Sequence, residues 1–137
     1  MPAILEHPAD VDELRFADGL PGFPASHRFT LVRWGGDESS FSVLRSIDDE
    51  DLRFVVVPPG LFFPDYAPVL SDDDAARLGL DDADDAIVLV VVSLGARPED
   101  ATANLLGPIV INRHTLSAAQ VVLTGQDLPT RQALAGG

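Results

Sequence analysis

The sequence predicts a mostly β fold, a compact antiparallel β-barrel-like domain with one or two short helices. Short runs of β-branched and aromatic residues recur along the chain, and clusters of Gly and Pro separate them. Only one stretch carries a clear signal for the start of a helix. With 137 residues, 46% of them hydrophobic, the chain has the size of one domain and can bury a core. We therefore expect a single domain over residues 1–137, with residues 131–137 frayed.

Seven segments are expected to form strands. Alternation in the second segment places Phe29 and Leu31 on the same face. The segment 86–94 is continuously apolar, which is typical of a strand that is buried on both faces. The predicted strands are 11–16, 27–34, 41–47, 51–58, 86–94, 108–112 and 119–124.

The predicted helix spans residues 72–78. Ser71 is a favourable N-cap residue, and the three aspartates that follow it suit the positive end of a helix dipole. Gly79 is expected just beyond the last helical residue, where a positive φ is common. A second helical turn is expected at 64–68, and residues 95–103 are expected to form a loop.

The chain is strongly acidic. It has 22 Asp and Glu residues against nine arginines and no lysine, which gives a net charge of −13. This charge repels phosphate backbones, so we expect no direct binding of nucleic acid. It attracts basic partners and accelerates their approach. With no cysteine, the chain can form neither disulfides nor thiolate metal sites.

We expect a cytoplasmic protein that does not enter a membrane. The first residues contain no basic segment followed by an apolar one, which a signal peptide would show. The longest apolar run, residues 86–96, is too short to cross a bilayer, which takes ~20 residues.

No catalytic or metal-binding motif stands out in the sequence. His7, His27 and His114 have no partner at the spacing of metal ligands. Residues 81–85 lack the glycine of a calcium loop. The sequence therefore predicts no enzyme, no cofactor and no metal. An acidic-site or metal-dependent hydrolase on a β-barrel is the alternative, because the distance between paired carboxylates is a spatial property that a sequence does not fix.

The stretch Gly19-Leu20-Pro21-Gly22-Phe23 combines turn residues with two large apolar side chains. Proline favours the second position of a turn, and glycine allows a positive φ or a close backbone approach. We expect Leu20 and Phe23 to plug an open end of the barrel core, so that Phe23→Ala would cost about 3–5 kcal/mol of stability. A partner-facing role for the motif is the alternative.

Seven short motifs occur in order over nearly the whole chain. They are a phenylalanine ahead of G-L-P-G-F (Phe16, then Gly19–Phe23), F-x-L (Phe29–Leu31), a phenylalanine followed by L-x-S-x-D (Phe41, then Leu44–Asp48), a strand ending in proline (Phe54–Pro58), F-x-P-D-Y (Phe62–Tyr66), N-L-x-x-P-I-V-I-N (Asn104–Asn112) and Q-V-V-L (Gln120–Leu123). In these motifs the sequence resembles the bacterial flagellar assembly factor FliW family. It departs from the family at Arg45, where glutamine is frequent, and at Gly107, where alanine is frequent.

The resemblance implies a binding protein with a mostly antiparallel, barrel-like fold. FliW-like proteins bind flagellin in the cytoplasm and also bind CsrA, an RNA-binding translational repressor. Flagellin that accumulates occupies the FliW-like protein, and CsrA is then free to repress flagellin translation. The partners that the resemblance implies here are therefore flagellin and CsrA, and we expect a monomer. An RNA-binding protein presents basic surface, which a chain with a charge of −13 complements.

The candidate partner contacts are aromatic, amide and acidic. Aromatic residues in a loop suit an interface, although the alternative is that the two phenylalanines divide between core and surface while the tyrosine caps the core edge. The two asparagines contact a partner or, alternatively, satisfy loop backbone groups. The acidic segments are candidates for the basic partner. The residues are Phe62, Phe63, Asp65, Tyr66, Asn104, Asn112, Asp48, Asp49, Glu50, Asp51, Asp72, Asp73 and Asp74.

Overall fold

The computed structural model describes residues 11–20, 22–23, 25–33, 41–49, 51–94, 96–97, 100–123 and 125–134. Within these ranges the chain forms nine strands, one α-helix and two single-turn 3₁₀ helices. The strands are β1 (Val11–Phe16), β2 (Arg28–Arg33), β3 (Ser42–Ser46), β4 (Arg53–Val57), β5 (Ala86–Ser93), β6 (Thr102–Ala103), β7 (Ile109–Asn112), β8 (Ser117–Gln120) and β9 (Gln132–Ala133). The helix α1 spans Asp72–Arg77, and the 3₁₀ helices span Pro59–Leu61 and Ala83–Asp85.

Seven of these strands close into a barrel, which confirms the predicted fold class. Antiparallel pairing joins β1 to β2, β2 to β3, β3 to β4, β4 to β5, β5 to β7 and β7 to β8. A parallel pairing of β1 with β8 completes the ring, with Arg15 opposite Ser117 and Phe16 opposite Ala118. Outside the ring, β6 pairs with the end of β5 and with β9.

One apolar cluster fills the inside of the barrel. Side chains alternate along β2 as predicted, and they also alternate along β3, so that Phe29, Leu31 and Leu44 are buried. The ring of Phe16 meets the ring of Phe29 edge to face, with centroids 5.0 Å apart. The cluster consists of Leu14, Phe16, Leu20, Phe29, Leu31, Leu44, Leu52, Val56, Ile87, Leu89, Ile109, Ile111 and Ala118.

A second apolar cluster covers the outer face of β5 and β7. β5 contributes to both clusters, with Ile87 and Leu89 in the inner one and Val88 and Val90 in the outer one. The prediction that this strand is buried on both faces is therefore confirmed. The outer cluster is completed by the segments that follow β4, β6 and β8, chiefly by Tyr66, Leu70, Leu78, Leu80, Leu105, Val121 and Leu123.

The helix α1 begins at the predicted residue and ends within one residue of the predicted end. The hydroxyl of Ser71 accepts a hydrogen bond from the Asp74 N–H at 3.1 Å. Arg77 occupies the last turn, where a cation suits the helix dipole. Gly79 follows the C-cap residue with φ of 67°. Among the described residues, no helix combines the length and apolar character that crossing a membrane requires.

Four secondary-structure predictions need correction. No helix forms at 64–68; the helical turn lies earlier, where the Phe63 N–H bonds to the Pro59 carbonyl at 2.8 Å. The strand predicted at 119–124 begins and ends earlier, as β8, although Val121 and Leu123 still donate backbone hydrogen bonds to the carbonyls of Pro108 and Leu106 at 2.9 Å. The predicted loop 95–103 contains β6, and the segment 131–137, expected to be frayed, contains β9. Residues 135–137 lie outside the described ranges.

Candidate partner-binding surfaces

The G-L-P-G-F motif forms a turn between two β-bridge partners. Phe23 N–H donates to the Leu20 carbonyl at 2.7 Å, and Leu20 N–H donates to the Phe23 carbonyl at 3.3 Å. Gly19 and Gly22 have φ of 67° and 86°, which favour glycine. Leu20 is buried in the inner cluster, whereas Phe23 is 41% exposed. Pro21 lies outside the described residues.

The core plug expected of Phe23 is therefore wrong. Its ring lies on the surface against the ring of Phe54, with centroids 6.1 Å apart in an edge-to-face arrangement. Of the two apolar side chains, only Leu20 therefore reaches the core.

Residues of four motifs surround a cavity of about 280 Å³ beside this turn. Leu20, Phe54 and Ile109 supply apolar walls, while Asn104 and Gln120 supply amides. Ser93, Thr130 and Arg131 also line the cavity. Gln120 was not among the candidate residues, although its place at the head of the Q-V-V-L motif was a usable signal.

The two amides of this cavity hold the turn at residues 104–107. The Asn104 Oδ1 accepts hydrogen bonds from the N–H groups of Leu106 and Gly107 at 3.1 and 3.0 Å. The Gln120 Nε2 donates to the Gly107 carbonyl at 2.9 Å. A Cβ at Gly107 would lie 3.1 Å from that nitrogen, so the glycine makes room for this amide. In the structure, the Asn104 side chain thus satisfies backbone N–H groups of its own loop.

The aromatic segment 61–66 presents two half-buried rings at the surface. Phe62 packs between Phe41 and Phe63, with ring centroids 6.0 and 6.4 Å away. Both Phe62 and Phe63 rest on the outer cluster, and Asp65 is exposed beside them. Each phenylalanine therefore has one side on the core and one side towards solvent, rather than one ring inside and one outside.

Tyr66 does not share this exposure. Its side chain is buried, and its hydroxyl donates to the Leu105 carbonyl at 2.6 Å. A direct partner contact by Tyr66 does not fit this position, because the ring and the hydroxyl are both occupied within the fold. It caps the edge of the outer cluster and ties it to the segment after β6.

We expect Tyr66 to remain un-ionised until the protein unfolds in alkali. Burial raises the pKa of its phenol above the ordinary value of 10.0. Its contribution to stability is therefore complete below pH 10.0 and is lost as the pH rises towards the higher pKa of the folded state. Because Tyr66 is the only tyrosine, absorbance of phenolate reports on it alone. Phenolate appearing near pH 10.0 while the fold persists would contradict the buried placement.

Asn112 is a buried clamp between α1 and the turn that follows β7. It is 2% exposed, and its Nδ2 donates to the carbonyls of Leu78 and Gly79 at 2.9 and 3.3 Å. Its Oδ1 accepts from the N–H groups of His114 and Thr115 at 2.9 and 3.2 Å. A partner contact by Asn112 does not fit the structure, because every polar atom of this buried side chain binds backbone.

In the acidic turn after β3, Asp48 forms hydrogen bonds and an ion pair with residues at the start of β2. The Asp48 carboxylate accepts the N–H groups of His27 and Arg28 at 3.0 and 3.1 Å and contacts the Arg28 guanidinium at 3.0 Å. The backbone N–H of His27, followed by the Arg28 guanidinium, lowers the pKa of Asp48. Asp49 and Asp51 are exposed, and Asp49 caps the turn by accepting the Asp51 N–H at 3.1 Å. Glu50 lies outside the described residues.

The segment 72–85 carries the largest group of acidic residues in the chain, with seven aspartates. Asp72 and Asp73 are exposed on the first turn of α1, while Asp74 binds Ser71 and Arg77. Further along, Asp81, Asp82 and Asp84 are exposed, and Asp85 lies 2.8 Å from the His114 Nε2. In the described ranges no three His, Asp or Glu side chains come together as a metal site.

Comparisons of this chain with family models, with other sequences and with solved structures all find proteins of the same family. A family model described as "FliW protein" matches residues 6–134. The flagellar assembly factor FliW of Bacillus licheniformis is 36% identical over 121 residues, covering 88% of this chain and 84% of that protein. Its counterpart in Leptospira interrogans is 34% identical over 122 residues, covering 88% and 81%. A crystal structure of the flagellar assembly factor FliW superposes with a TM-score of 0.85 at 34% identity, covering 90% of this chain and 85% of that one.

Proposed function

Because this chain belongs to the FliW protein family, we propose that it is a flagellar assembly factor that binds flagellin in the cytoplasm and antagonises CsrA. The observation that carries the proposal is the similarity to proteins named flagellar assembly factor FliW over 88% of the chain. A protein of this kind acts by binding, so its working parts are surfaces rather than a reaction centre.

The proposed CsrA-facing surface is the acidic segment 72–85. Asp72 and Asp73 lie exposed at the start of α1, and three more exposed aspartates follow within the segment. An RNA-binding partner presents cationic side chains that would otherwise contact phosphates. Opposite charge accelerates the encounter and fixes the orientation of the partner. The exposed aspartates of this segment therefore suit a basic partner better than Asp48, which is engaged with Arg28 and backbone N–H groups.

The proposed flagellin-facing surface is the aromatic segment around Phe62, Phe63 and Asp65. Half-buried rings are already held by the outer cluster, so little side-chain freedom is lost when a partner covers their exposed sides. Aromatic residues are enriched at the centres of protein interfaces. The proposal assigns flagellin to this apolar surface and CsrA to the acidic one.

The test is isothermal titration of the purified protein with the host's flagellin and then with CsrA, each at two salt concentrations. We expect binding to both partners, with the affinity for CsrA falling as salt rises. Replacing Asp72 and Asp73 together by asparagine should weaken CsrA binding roughly tenfold, since each exposed pair is worth up to about 1 kcal/mol. Flagellin binding should stay unchanged.

The matched control removes the same charge from the other acidic segment. Asp49→Asn combined with Asp51→Asn replaces the carboxylate oxygen that caps the turn by an amide oxygen, which can accept the same bond. It should leave CsrA binding within about twofold, because these carboxylates lie outside the proposed surface. Equal losses in the two double variants would show that net charge rather than segment 72–85 drives the binding. If neither folded partner bound the unmodified protein, the proposed function itself would be wrong.

A further inference from the structure

The outer face of β2, β3 and β4 carries two arginines side by side. Arg45 of β3 stands directly opposite Arg53 of β4, and both side chains are exposed. Like charges opposite each other on antiparallel strands are destabilising. In the described part of the chain, no salt bridge or hydrogen bond joins either guanidinium to another side chain. Among the residues that the structure describes, these two neighbouring cations therefore have no carboxylate partner.

A row of valines, one exposed and two half-buried, runs beside this pair on the same face. Val32 of β2 is opposite Val43, and Val43 is opposite Val55 of β4. Val32 is 48% exposed, and Leu94 beyond the end of β5 is 57% exposed at the edge of the row. Together the valine row and the arginine pair line a groove of about 690 Å³.

The two rows have the dimensions of one side of a helix. Neighbouring strands are about 4.8 Å apart, so the valine row spans roughly 10 Å across three strands. The arginine row lies two residues along each strand, roughly 7 Å away. A helix about 10 Å in diameter covers both rows. Carboxylates four residues apart on a helix have Cβ atoms about 5–6 Å apart, close to the separation of opposite residues on paired strands.

We propose that this face, the outer surface of β2–β4 around Arg45 and Arg53, is a docking surface for an amphipathic helix of a partner protein. Aliphatic side chains of the helix lie on Val32, Val43 and Val55, and its carboxylates bind the two arginines. Charge complementarity selects such a partner, because the carboxylates relieve the repulsion between the guanidinium groups. A phosphate backbone is a poorer occupant, since it has no aliphatic surface to cover the valine row beside the arginines. The inference requires neither flagellin nor CsrA as the occupant.

The probe is a synthetic 18-residue helical peptide with leucines at every third or fourth position and glutamates along one flank of the leucines. Its partner peptide has glutamine in place of each glutamate. Fluorescence anisotropy of the labelled peptides should show at least tenfold weaker binding of the glutamine peptide. The glutamate peptide should bind at least tenfold more weakly to the Arg45→Gln, Arg53→Gln double variant. That variant should melt no lower than the parent, because the substitutions remove a like-charge pair and leave the core intact.

The matched control removes two arginines from other surfaces. Arg15→Gln combined with Arg97→Gln changes the charge equally but at side chains that pair with Glu13 and Asp100, so binding should change less than twofold. Four results would overturn the proposal. They are equal binding of the two peptides, no binding of either, equal losses in the two double variants, and an RNA oligonucleotide or a second copy of the protein occupying this face more tightly than the glutamate peptide. Anisotropy competition detects the RNA, and sedimentation velocity detects the second copy.

Discussion

Replacing Phe16 by alanine is expected to lower the free energy of unfolding by about 3–5 kcal/mol. Phe16 is fully buried at the end of β1, and its ring packs edge to face on Phe29 within the inner cluster. The substitution removes a large apolar side chain and one aromatic pair, and the closed ring of strands limits how far the cavity can collapse. Urea denaturation followed by tryptophan fluorescence or circular dichroism measures the change.

Phe23→Ala is the matched control for this prediction. It deletes the same atoms from the surface, where Phe23 is 41% exposed, and should cost less than about 1.5 kcal/mol. Should Phe16→Ala fail to fold, Phe16→Leu is the milder variant and should show a smaller loss in the same direction. Equal losses for the alanine variants at positions 16 and 23 would show that the two phenylalanines do not differ in burial.

Replacing Asn112 by alanine is expected to cost about 2–4 kcal/mol. The substitution removes four hydrogen bonds at once. Two run to the carbonyls that follow α1, and two come from the N–H groups of the turn after β7. Because Asn112 is buried, the backbone groups that it binds lose a partner that water replaces poorly. Amide hydrogen exchange should become faster in α1 and in the turn while the distant strands β2 and β3 keep their protection.

The control for the asparagine is Asn104→Ala. Asn104 also binds two N–H groups, but it is only half-buried and holds a single turn, so its loss should be about 1 kcal/mol. Comparable costs at positions 104 and 112, or exchange that accelerates evenly over the barrel, would contradict the role of Asn112 as the clamp between α1 and the barrel.

Much of the barrel was predictable because local patterns agree with the tertiary structure. Alternation placed Phe29 and Leu31 on one face of β2, the continuous apolar run of β5 fits a strand with a core on both faces, and Ser71 marks the start of α1. The errors have a different origin. β6 and β9 are two residues long and exist only through pairing, and β8 begins with small residues that carry weak strand preference.

The placement of the candidate contacts depended on tertiary structure in the same way. An aromatic or amide residue in a loop predicts an interface and a core position equally well, and only the fold shows that Tyr66 is buried while Phe62 and Phe63 are half-buried. The pairing of Arg45 with Arg53 could have been predicted from the sequence. A hairpin centred on Asp49 places residue 45 opposite residue 53, but that register had to be combined with the charge of both residues.

The parallel pair of β1 and β8 has a consequence during synthesis. The ribosome releases β1 about 100 residues before β8, which is roughly 5–20 s at ordinary rates of translation. Throughout that interval the nascent chain has no partner for one edge of its first strand, and an unpaired strand edge is a template for pairing with other chains. Crowded polysomes therefore present the hazard of intermolecular pairing until residue 120 has emerged, and a chaperone that covers the first strand would act in this interval.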